Sequence, residues 1–310
     1  MPNVSRVQSY EHLREEDLVP PASPRVFFEP ADTEIGVWVA HDLITEGCSV
    51  LDLGSGSGAA AAAMARAGAA RVHGVDAGEE TVAWAREHYA SRDGGHRVTI
   101  AHGDFARLTS EQLLATAPAP LPRPLVVTSN PPYVPLTPRA DAERRSISGG
   151  TDGLKWAPAI IGHGRALGAD LGLTIGSYST PRHAVRLLEA AGYRVRAVTL
   201  CPLPLGAFTL ANQAQVRALE EVGEAVLWQG PGNVPAYFIV GLACHWTDPA
   251  HADEADGTPR LTGDGLLELL RTAARSRTTA LESLDVPRPN GWPGPLRVLD
   301  LPPAAVRHHW

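Results

Sequence analysis

Two short stretches of this sequence combine residue types that could do chemistry. The first, "SNPPYV" (residues 129–134), ends an apolar run with an asparagine, two prolines and a tyrosine. Proline has no N–H for a sheet ladder and holds the preceding residue in an extended geometry. The stretch is therefore either a simple strand terminator or a rigid clamp, in which a backbone carbonyl, an amide side chain and an aromatic ring surround a planar group.

The second stretch is a glycine loop, "GSGSG" (residues 54–58), which follows the apolar residues 49–53. Its Gly-x-Gly-x-x-Ala pattern fits a dinucleotide fingerprint, and Asp76 follows at about the 20-residue distance expected of a carboxylate that binds a ribose. Asp52 would repel a pyrophosphate but attract the sulfonium and ammonium cations of S-adenosyl-L-methionine. The loop therefore favours S-adenosyl-L-methionine, with a dinucleotide and a ligand-free turn as alternatives.

Alternating strands and helices must position these residues. The predicted strands are 49–53, 71–76, 98–101, 125–129, 171–177, 194–200 and 236–243. Such alternation predicts an α/β fold with a doubly wound, mostly parallel sheet. Ligands bind at the carboxyl ends of such strands, where the winding direction reverses. We therefore expect the glycine loop and Asn130, which are distant in sequence, to face one crevice.

Acidic residues also end the second and third predicted strands. Asp76 could accept hydrogen bonds from both ribose hydroxyls, and Asp104 could accept one from an adenine amino group beside an apolar wall formed by Phe105. A strand-terminal aspartate is also a common turn former, which remains the alternative for Asp104. The predicted cofactor-binding residues are Asp52, Gly54, Ser55, Gly56, Asp76, Asp104, Phe105 and Asn130.

The motifs "VLDLGSGSG", "VHGVDA", "GDF" and "NPPY", in this order, resemble those of class I S-adenosylmethionine-dependent methyltransferases. The NPPY form is similar to the branch that methylates nitrogens of adenine, cytosine, guanine or glutamine. "EPADTE" (29–34) and "GGTDGL" (149–154) resemble segments of the release-factor glutamine methyltransferases, the HemK/PrmC-like family. The resemblance spans roughly residues 28–245. It implies a Rossmann-like, seven-stranded sheet with an antiparallel last strand, and S-adenosyl-L-homocysteine as product.

The resemblance gives the NPPY stretch a chemical role. Methyl transfer from a sulfonium is an in-line displacement, so the acceptor nitrogen must lie about 3 Å from the methyl carbon. We expect the Asn130 side-chain oxygen and the Pro131 carbonyl to accept the two hydrogens of an N–H₂ group, while Tyr133 stacks on a planar acceptor. These three residues are the predicted catalytic residues.

Substrate contacts are predicted from Phe28, Glu34, Pro132, Tyr133, Arg144 and Arg145. The arginines lie in the loop between NPPY and GGTDGL, where they could bind a substrate carboxylate or phosphate. The alternative is a solvated loop in which arginines pair with Asp141 and Glu143.

Composition restricts the class of protein and its partners. The 310 residues are 44% hydrophobic and 20% charged, with no apolar run of about 20 residues and no signal-peptide h-region at the N-terminus. Three widely spaced cysteines favour a reducing, cytoplasmic setting, and no metal-binding pattern is recognisable. A formal net charge of −7 disfavours a nucleic-acid partner. We expect a small-molecule or peptide substrate, no membrane association and a possible homodimer.

Three segments are predicted: a short N-terminal cap (1–44), a catalytic domain (45–247) with an insertion at 206–231, and a helical, proline-rich C-terminal extension (248–310). The extension could form a lid, pack a dimer interface or cover the sheet edge. Only about 27 residues precede "FEPADTE", too few for the helical recognition domain that the family places there.

These features favour an N-methyltransferase that acts on an amide or amino nitrogen of a small-molecule or peptide metabolite. The close motif match keeps a protein glutamine or a nucleobase open as the acceptor. A dinucleotide-dependent oxidoreductase or a non-catalytic cofactor-binding protein is the remaining alternative.

Overall fold

The computed structural model describes residues 4–24, 26–90, 97–144, 146–247, 258–275 and 289–303. Within them, ten strands form one sheet. The strands are β1 (Val4–Val7), β2 (Ser49–Leu53), β3 (Arg71–Asp76), β4 (Val98–His102), β5 (Leu125–Ser129), β6 (Asp170–Gly176), β7 (Tyr193–Pro204), β8 (Trp228–Gln229), β9 (Pro235–Trp246) and β10 (Leu296–Leu299).

Helices cover both faces of this sheet. They are α1 (Pro30–His41), α2 (Ala59–Arg66), α3 (Glu79–Ala85), α4 (Ser110–Ala115), α5 (Pro138–Glu143), α6 (Ala157–Leu167), α7 (Pro181–Ala190), α8 (Ala207–Ala211), α9 (Ala214–Glu221) and α10 (Gly263–Arg275). Val50 packs in a cluster with α1 and α2, whereas Leu51 and Leu53 pack in the cluster that contains α6, α7 and α10. Successive strand residues face opposite sides of the sheet, and helices cover both sides, so every residue of β2 is buried.

The strand order is β1-β10-β7-β9-β6-β5-β2-β3-β4, with β8 on β9. All seven predicted strands are present, and the last of them, β9, is antiparallel to β6 and β7, as predicted. The winding reverses between β2 and β5, which pair in parallel with Asp52 opposite Thr128. This register brings the glycine loop and Asn130 to the same edge of the sheet.

The sheet extends beyond the seven predicted strands because both ends of the chain join it. β10 pairs in parallel with β7, and β1 pairs in parallel with β10. Of the three roles considered for the C-terminal extension, covering the sheet edge is therefore the one that the structure shows. Helical spacing of Leu266, Leu270, Ala273, Ala274, Leu281 and Leu284 predicts a helix in this extension. In α10, Leu266, Leu270 and Ala273 are buried as predicted; Leu281 and Leu284 lie outside the described residues.

The insertion folds as α8 and α9. The sequence predicts a helix there with Val216, Leu219 and Val222 on one apolar face. Val216 is fully buried and Leu219 packs against the same cluster, as predicted. The prediction is wrong at Val222, which is 70% exposed because α9 ends at Glu221. Among the described helices, none combines the length and apolar character that a membrane crossing requires.

Candidate active site

A cleft of two adjoining lobes opens at the carboxyl ends of β2 and β5. The lobes enclose about 560 and 800 Å³ of empty space, open mouths included. Asp52, Ser55 and Thr174 line only the first lobe, and Tyr133 and Asp76 line only the second. Five residues line both lobes: Phe27, Asp32, Gly54, Gly56 and Asn130. The two predicted motifs therefore face one crevice, as expected.

The glycine loop is held against the end of β3. Gly54 and Gly56 have φ of +73° and +56°, a left-handed conformation that glycine adopts without strain. The Gly56 N–H donates to the Asp76 carboxylate (2.9 Å), and the Gly78 N–H donates to its other oxygen (2.8 Å). Asp76 thus both shapes the loop and lines the second lobe, where carboxylate lone pairs could accept ligand hydroxyls.

Asp52 is a buried carboxylate on the wall of the first lobe, 4% exposed. Burial raises its pKa to about 6, against the opposing effect of a hydrogen bond that the Thr128 hydroxyl donates at 2.8 Å. A cation placed in the first lobe would favour the ionised carboxylate. A carboxylate at this position fits the ammonium and sulfonium cations of S-adenosyl-L-methionine. The negative charge of Asp52 would repel a pyrophosphate.

Asp104 and Phe105 lie at the end of β4, outside the lining of both lobes. The Asp104 carboxylate accepts from the Ala106 N–H (2.9 Å) and pairs with Arg107 (3.3 Å), which is the turn arrangement considered as its alternative. The Phe105 ring lies beside Gly54, at 3.7 Å from where a Cβ would stand. The adenine contacts of both residues stay a prediction.

The NPPY loop is tied to α1 and β6. The Asn130 side-chain N–H₂ donates to the Asp32 carbonyl (3.4 Å), and the Thr174 hydroxyl donates to the Asn130 side-chain oxygen. The Tyr133 hydroxyl donates to the Asp32 carboxylate (2.6 Å), and the Ser179 hydroxyl donates to the Tyr133 carbonyl (2.6 Å). Prolines and hydrogen bonds together hold this loop rigidly beside the cleft.

Three tyrosines form one wall of the second lobe. The rings of Tyr133 and Tyr178 lie 6.1 Å apart, and those of Tyr178 and Tyr237 lie 4.5 Å apart. Burial, and secondarily the charge of Asp32, raise the pKa of Tyr133 well above its ordinary value. Its neutral phenol is fixed by Asp32 while Pro131 and Pro132 line the same lobe, so an aromatic and proline surface is available to a planar acceptor.

The structure does not bring all predicted substrate residues into the cleft. Phe28 is buried outside the lining of both lobes, and its neighbour Phe27 lines both instead. Arg144 lies over the Phe208 ring at 4.8 Å, also outside the lining. Arg145 lies outside the described residues.

Glu34 has a structural position. Its buried carboxylate accepts from the backbone N–H groups of Glu11, His12 and Leu13, each at 3.1 Å, and contacts the His12 ring at 3.0 Å. These bonds tie the N-terminal segment to α1 and leave Glu34 outside both lobes. The predicted substrate contact of Glu34 is therefore replaced by a structural role.

Several cleft residues were not predicted from the sequence. Asp32 belongs to the quoted "EPADTE" segment, but its link to Asn130 and Tyr133 requires the tertiary structure. Thr174 interrupts the apolar strand "LGLTIG", a signal that could have been noticed. Thr209, from the insertion, lines the second lobe. Among the described residues, no group of three potential metal ligands clusters together.

Part of the chain matches a known protein family. Residues 50–115, which include most of β2, the glycine loop and Asp76, match the family model described as "Methyltransferase domain". No curated protein matches the chain.

Three solved structures illustrate the likeness in fold. The chain is similar to a proposed RNA methyltransferase of Pyrococcus horikoshii (14% identity, TM-score 0.42, 76% of this chain and 92% of that chain covered). It is also similar to a precorrin-6y C5,15-methyltransferase of Geobacter metallireducens (13% identity, TM-score 0.41, 75% of this chain and 97% of that chain covered). The third is a ribosomal protein L11 methylase of Lactobacillus delbrueckii (13% identity, TM-score 0.36, 71% of this chain and 81% of that chain covered). At these values the likenesses carry no argument about substrate.

The functional conclusion therefore comes from the site and from the domain match. Asp52 and Asp76 place two carboxylates at the cleft that could accept hydrogen bonds from S-adenosyl-L-methionine, and the matched residues include both of them and the glycine loop. This chain is an S-adenosyl-L-methionine-dependent methyltransferase.

Proposed function

We propose that the enzyme methylates an amide or amino nitrogen of a small-molecule or peptide metabolite. The observation that carries this proposal is the position of Asn130, which lines both lobes and is held by two partners. A side-chain oxygen that faces both lobes, between the carboxylates proposed for the cofactor and the proline and tyrosine surface proposed for the acceptor, suits a nitrogen that still carries hydrogen.

The reaction follows from groups in the NPPY loop. S-adenosyl-L-methionine supplies an electrophilic methyl group on a sulfonium. The Asn130 side-chain oxygen and the Pro131 carbonyl accept hydrogen bonds from the acceptor N–H₂, which aims the nitrogen lone pair along the C–S bond and favours the positive charge it acquires. The lone pair forms the N–C bond, the C–S electron pair returns to sulfur, and the surplus proton on nitrogen then leaves to water.

The second lobe supports a small acceptor. Thr209 of the insertion closes it on one side, and the insertion is fastened over the GGTDGL segment by a hydrogen bond from Gln215 to the Thr151 carbonyl (2.7 Å). An acceptor must therefore enter as a small molecule or as a single projecting group.

A protein glutamine is the second candidate, because the NPPY and GGTDGL segments meet. Val134 pairs with Ser148, its N–H donates to the Ile147 carbonyl (3.0 Å), and its carbonyl accepts from Gly149 (2.9 Å). The two motifs of the release-factor-like resemblance are thus physically joined. A single glutamine side chain would also fit the description of a projecting group.

Transfer of radiolabelled methyl from S-adenosyl-L-methionine into extract of the source organism tests the proposal. The products are separated by size and by nuclease and protease sensitivity. Label in an N-methylated product of low mass supports it, and label in a protease-sensitive band favours the protein glutamine. Label on oxygen or carbon would overturn nitrogen as the acceptor.

The matched variant for this assay is Asn130→Ala. We expect it to reduce transfer by about 100-fold or more, because a preorganised hydrogen-bond partner of the transition state is lost. Calorimetry with S-adenosyl-L-homocysteine should show a much smaller loss of affinity, because the Asp52 and Asp76 carboxylates remain for the cofactor. Loss of both would assign Asn130 a structural role instead.

A further inference from the structure

Thr174 is an isolated hydroxyl in the middle of the apolar strand β6. Its side chain is 1% exposed, yet it lines the first lobe. The hydroxyl donates to the Asn130 side-chain oxygen and also lies 3.5 Å from the Ser129 carbonyl. A buried hydroxyl needs such a partner, but the partner here is the residue on which the proposed chemistry depends.

The two neighbours of the Asn130 side chain select one orientation of its amide. The Asp32 carbonyl can only accept a hydrogen bond, so the group that faces it must be the N–H₂. The oxygen is then the atom that faces the Thr174 hydroxyl, which donates to it. In the opposite orientation two acceptor oxygens would face each other across the Asp32 contact, which is unfavourable.

We propose that Thr174 is a positioning residue that holds the Asn130 amide with its oxygen available to the acceptor nitrogen. The inference rests on the proposed N-methylation and deepens it. One lone pair of the oxygen is engaged by Thr174, and the second remains for an acceptor N–H. If the amide rotates, its N–H₂ donates to the acceptor nitrogen and occupies the lone pair that must attack the methyl group.

This positioning role gives the hydroxyl of Thr174 a function in an otherwise apolar strand. The Asp32 contact is long, at 3.4 Å, and by itself restrains the amide weakly. The Thr174 hydroxyl supplies the stronger restraint from the opposite side. Because β6 lies between β5 and β9, its backbone is fixed on both sides and the hydroxyl cannot easily move away.

Two substitutions of Thr174 separate this role from packing. Thr174→Val keeps the shape and removes the hydroxyl, whereas Thr174→Ser keeps the hydroxyl and removes a methyl group. Thr199→Val serves as the matched control, since Thr199 is a buried threonine of β7 that accepts from Arg297 (3.1 Å) outside the cleft. The probes are radiolabelled S-adenosyl-L-methionine with the extract fraction that accepts label from the wild type, and S-adenosyl-L-homocysteine in calorimetry.

We expect Thr174→Val to lower kcat by about tenfold or more, the scale of a small misplacement of a catalytic group. Its affinity for S-adenosyl-L-homocysteine and the KM of the acceptor should stay close to the wild-type values. Thr174→Ser should retain most of kcat, and Thr199→Val should retain it whatever its thermal stability.

Other outcomes would overturn the inference. A wild-type kcat in Thr174→Val would mean that the amide is held without the hydroxyl, while N-methylation itself would stand. A parallel fall of kcat, cofactor affinity and Tm in both Thr174 variants would show a packing role. A wild-type product methylated on oxygen or carbon would instead defeat the proposed function on which the inference rests.

Discussion

At the scale of single residues, we expect Asp52 to make cofactor binding depend on pH. Its pKa is about 6 in the folded protein, because burial outweighs the Thr128 hydrogen bond. The ammonium group of a bound cofactor favours the ionised form, so binding must expel the proton whenever the pH is below that pKa. We expect the affinity for S-adenosyl-L-homocysteine to fall below pH 6 and to approach about a tenfold loss per pH unit.

The control for this prediction is Asp52→Asn, which retains an oxygen for the Thr128 hydroxyl but cannot ionise. Calorimetry from pH 5 to 7.5 should show weaker binding with a flatter pH dependence. A wild-type slope in this variant would assign the titration to another group, for which Asp76, also a buried carboxylate with a raised pKa, is the candidate.

Residue roles were predictable where chemistry and position in a strand agree. Asp52 and Asn130 end or nearly end strands that the winding order places side by side, so their meeting could be expected. Glu34 could not be assigned this way, because its partners are backbone N–H groups more than 20 residues earlier in the chain. No local pattern reports such a contact.

At the scale of elements, Glu34 joins the N-terminal segment to α1. Its two carboxylate oxygens serve three backbone N–H groups, and a glutamine has only one accepting oxygen. We expect Glu34→Gln to lower the free energy of unfolding by about 1–3 kcal/mol, the cost of a buried donor left without a partner. Chemical denaturation measures this loss. Methyl transfer at a temperature where the variant is folded should remain near wild type; a selective rise in the KM of the acceptor would restore a substrate contact.

Helix α6 holds the loop that follows β4. The His163 ring donates from Nε2 to the Phe105 carbonyl (2.7 Å), and its Nδ1 lies 2.9 Å from the Ser110 hydroxyl of α4. Since Phe105 lies beside Gly54, this bond sets the distance between that loop and the glycine loop. We expect His163→Ala to weaken binding of S-adenosyl-L-homocysteine by about five- to tenfold, the equivalent of one hydrogen bond of about 1 kcal/mol.

The matched control for His163 is His245→Ala. His245 contacts Asp170 (2.7 Å), which begins β6 at the end of that strand opposite the cleft. The control should lose stability without a change in cofactor affinity. Equal affinities in wild type and His163→Ala would show that the Phe105 loop keeps its position unaided or does not contribute to the cofactor site.

At the scale of the whole molecule, the seven central strands were predictable and the two strands that extend the sheet edge were not. Short, mostly apolar runs that alternate with helical segments predict buried parallel strands. β1 and β10 are each four residues long and lie in polar or proline-rich segments. β10 takes its strand conformation by pairing with the edge of β7, and β1 takes its own by pairing with β10. This tertiary pairing outweighs local preference.

Two buried groups with opposite pKa shifts shape the stability of the whole chain in acid. His73 is 1% exposed between Thr99 and Thr116, and burial lowers its pKa to about 4. Between pH 6.5 and 4 the unfolded chain binds a proton at this histidine and the folded chain does not. The free energy of unfolding therefore decreases by up to about 3 kcal/mol as the pH is lowered through this range. Asp52 acts oppositely: between pH 6 and 3.8 the folded chain binds the proton, which adds a similar amount.

The two contributions should nearly cancel in the wild type, and substitution should reveal each. Denaturant unfolding of Asp52→Asn should show a steeper loss of stability than the wild type as the pH is lowered from 7 to 4.5, because only the effect of His73 remains. His73→Asn should show a shallower loss, or a gain, over the same range. The difference between the two variants isolates these groups, since every other titration is common to both. Parallel curves for both variants would contradict the prediction. They would mean that the pKa values of Asp52 and His73 do not differ between the folded and unfolded chains.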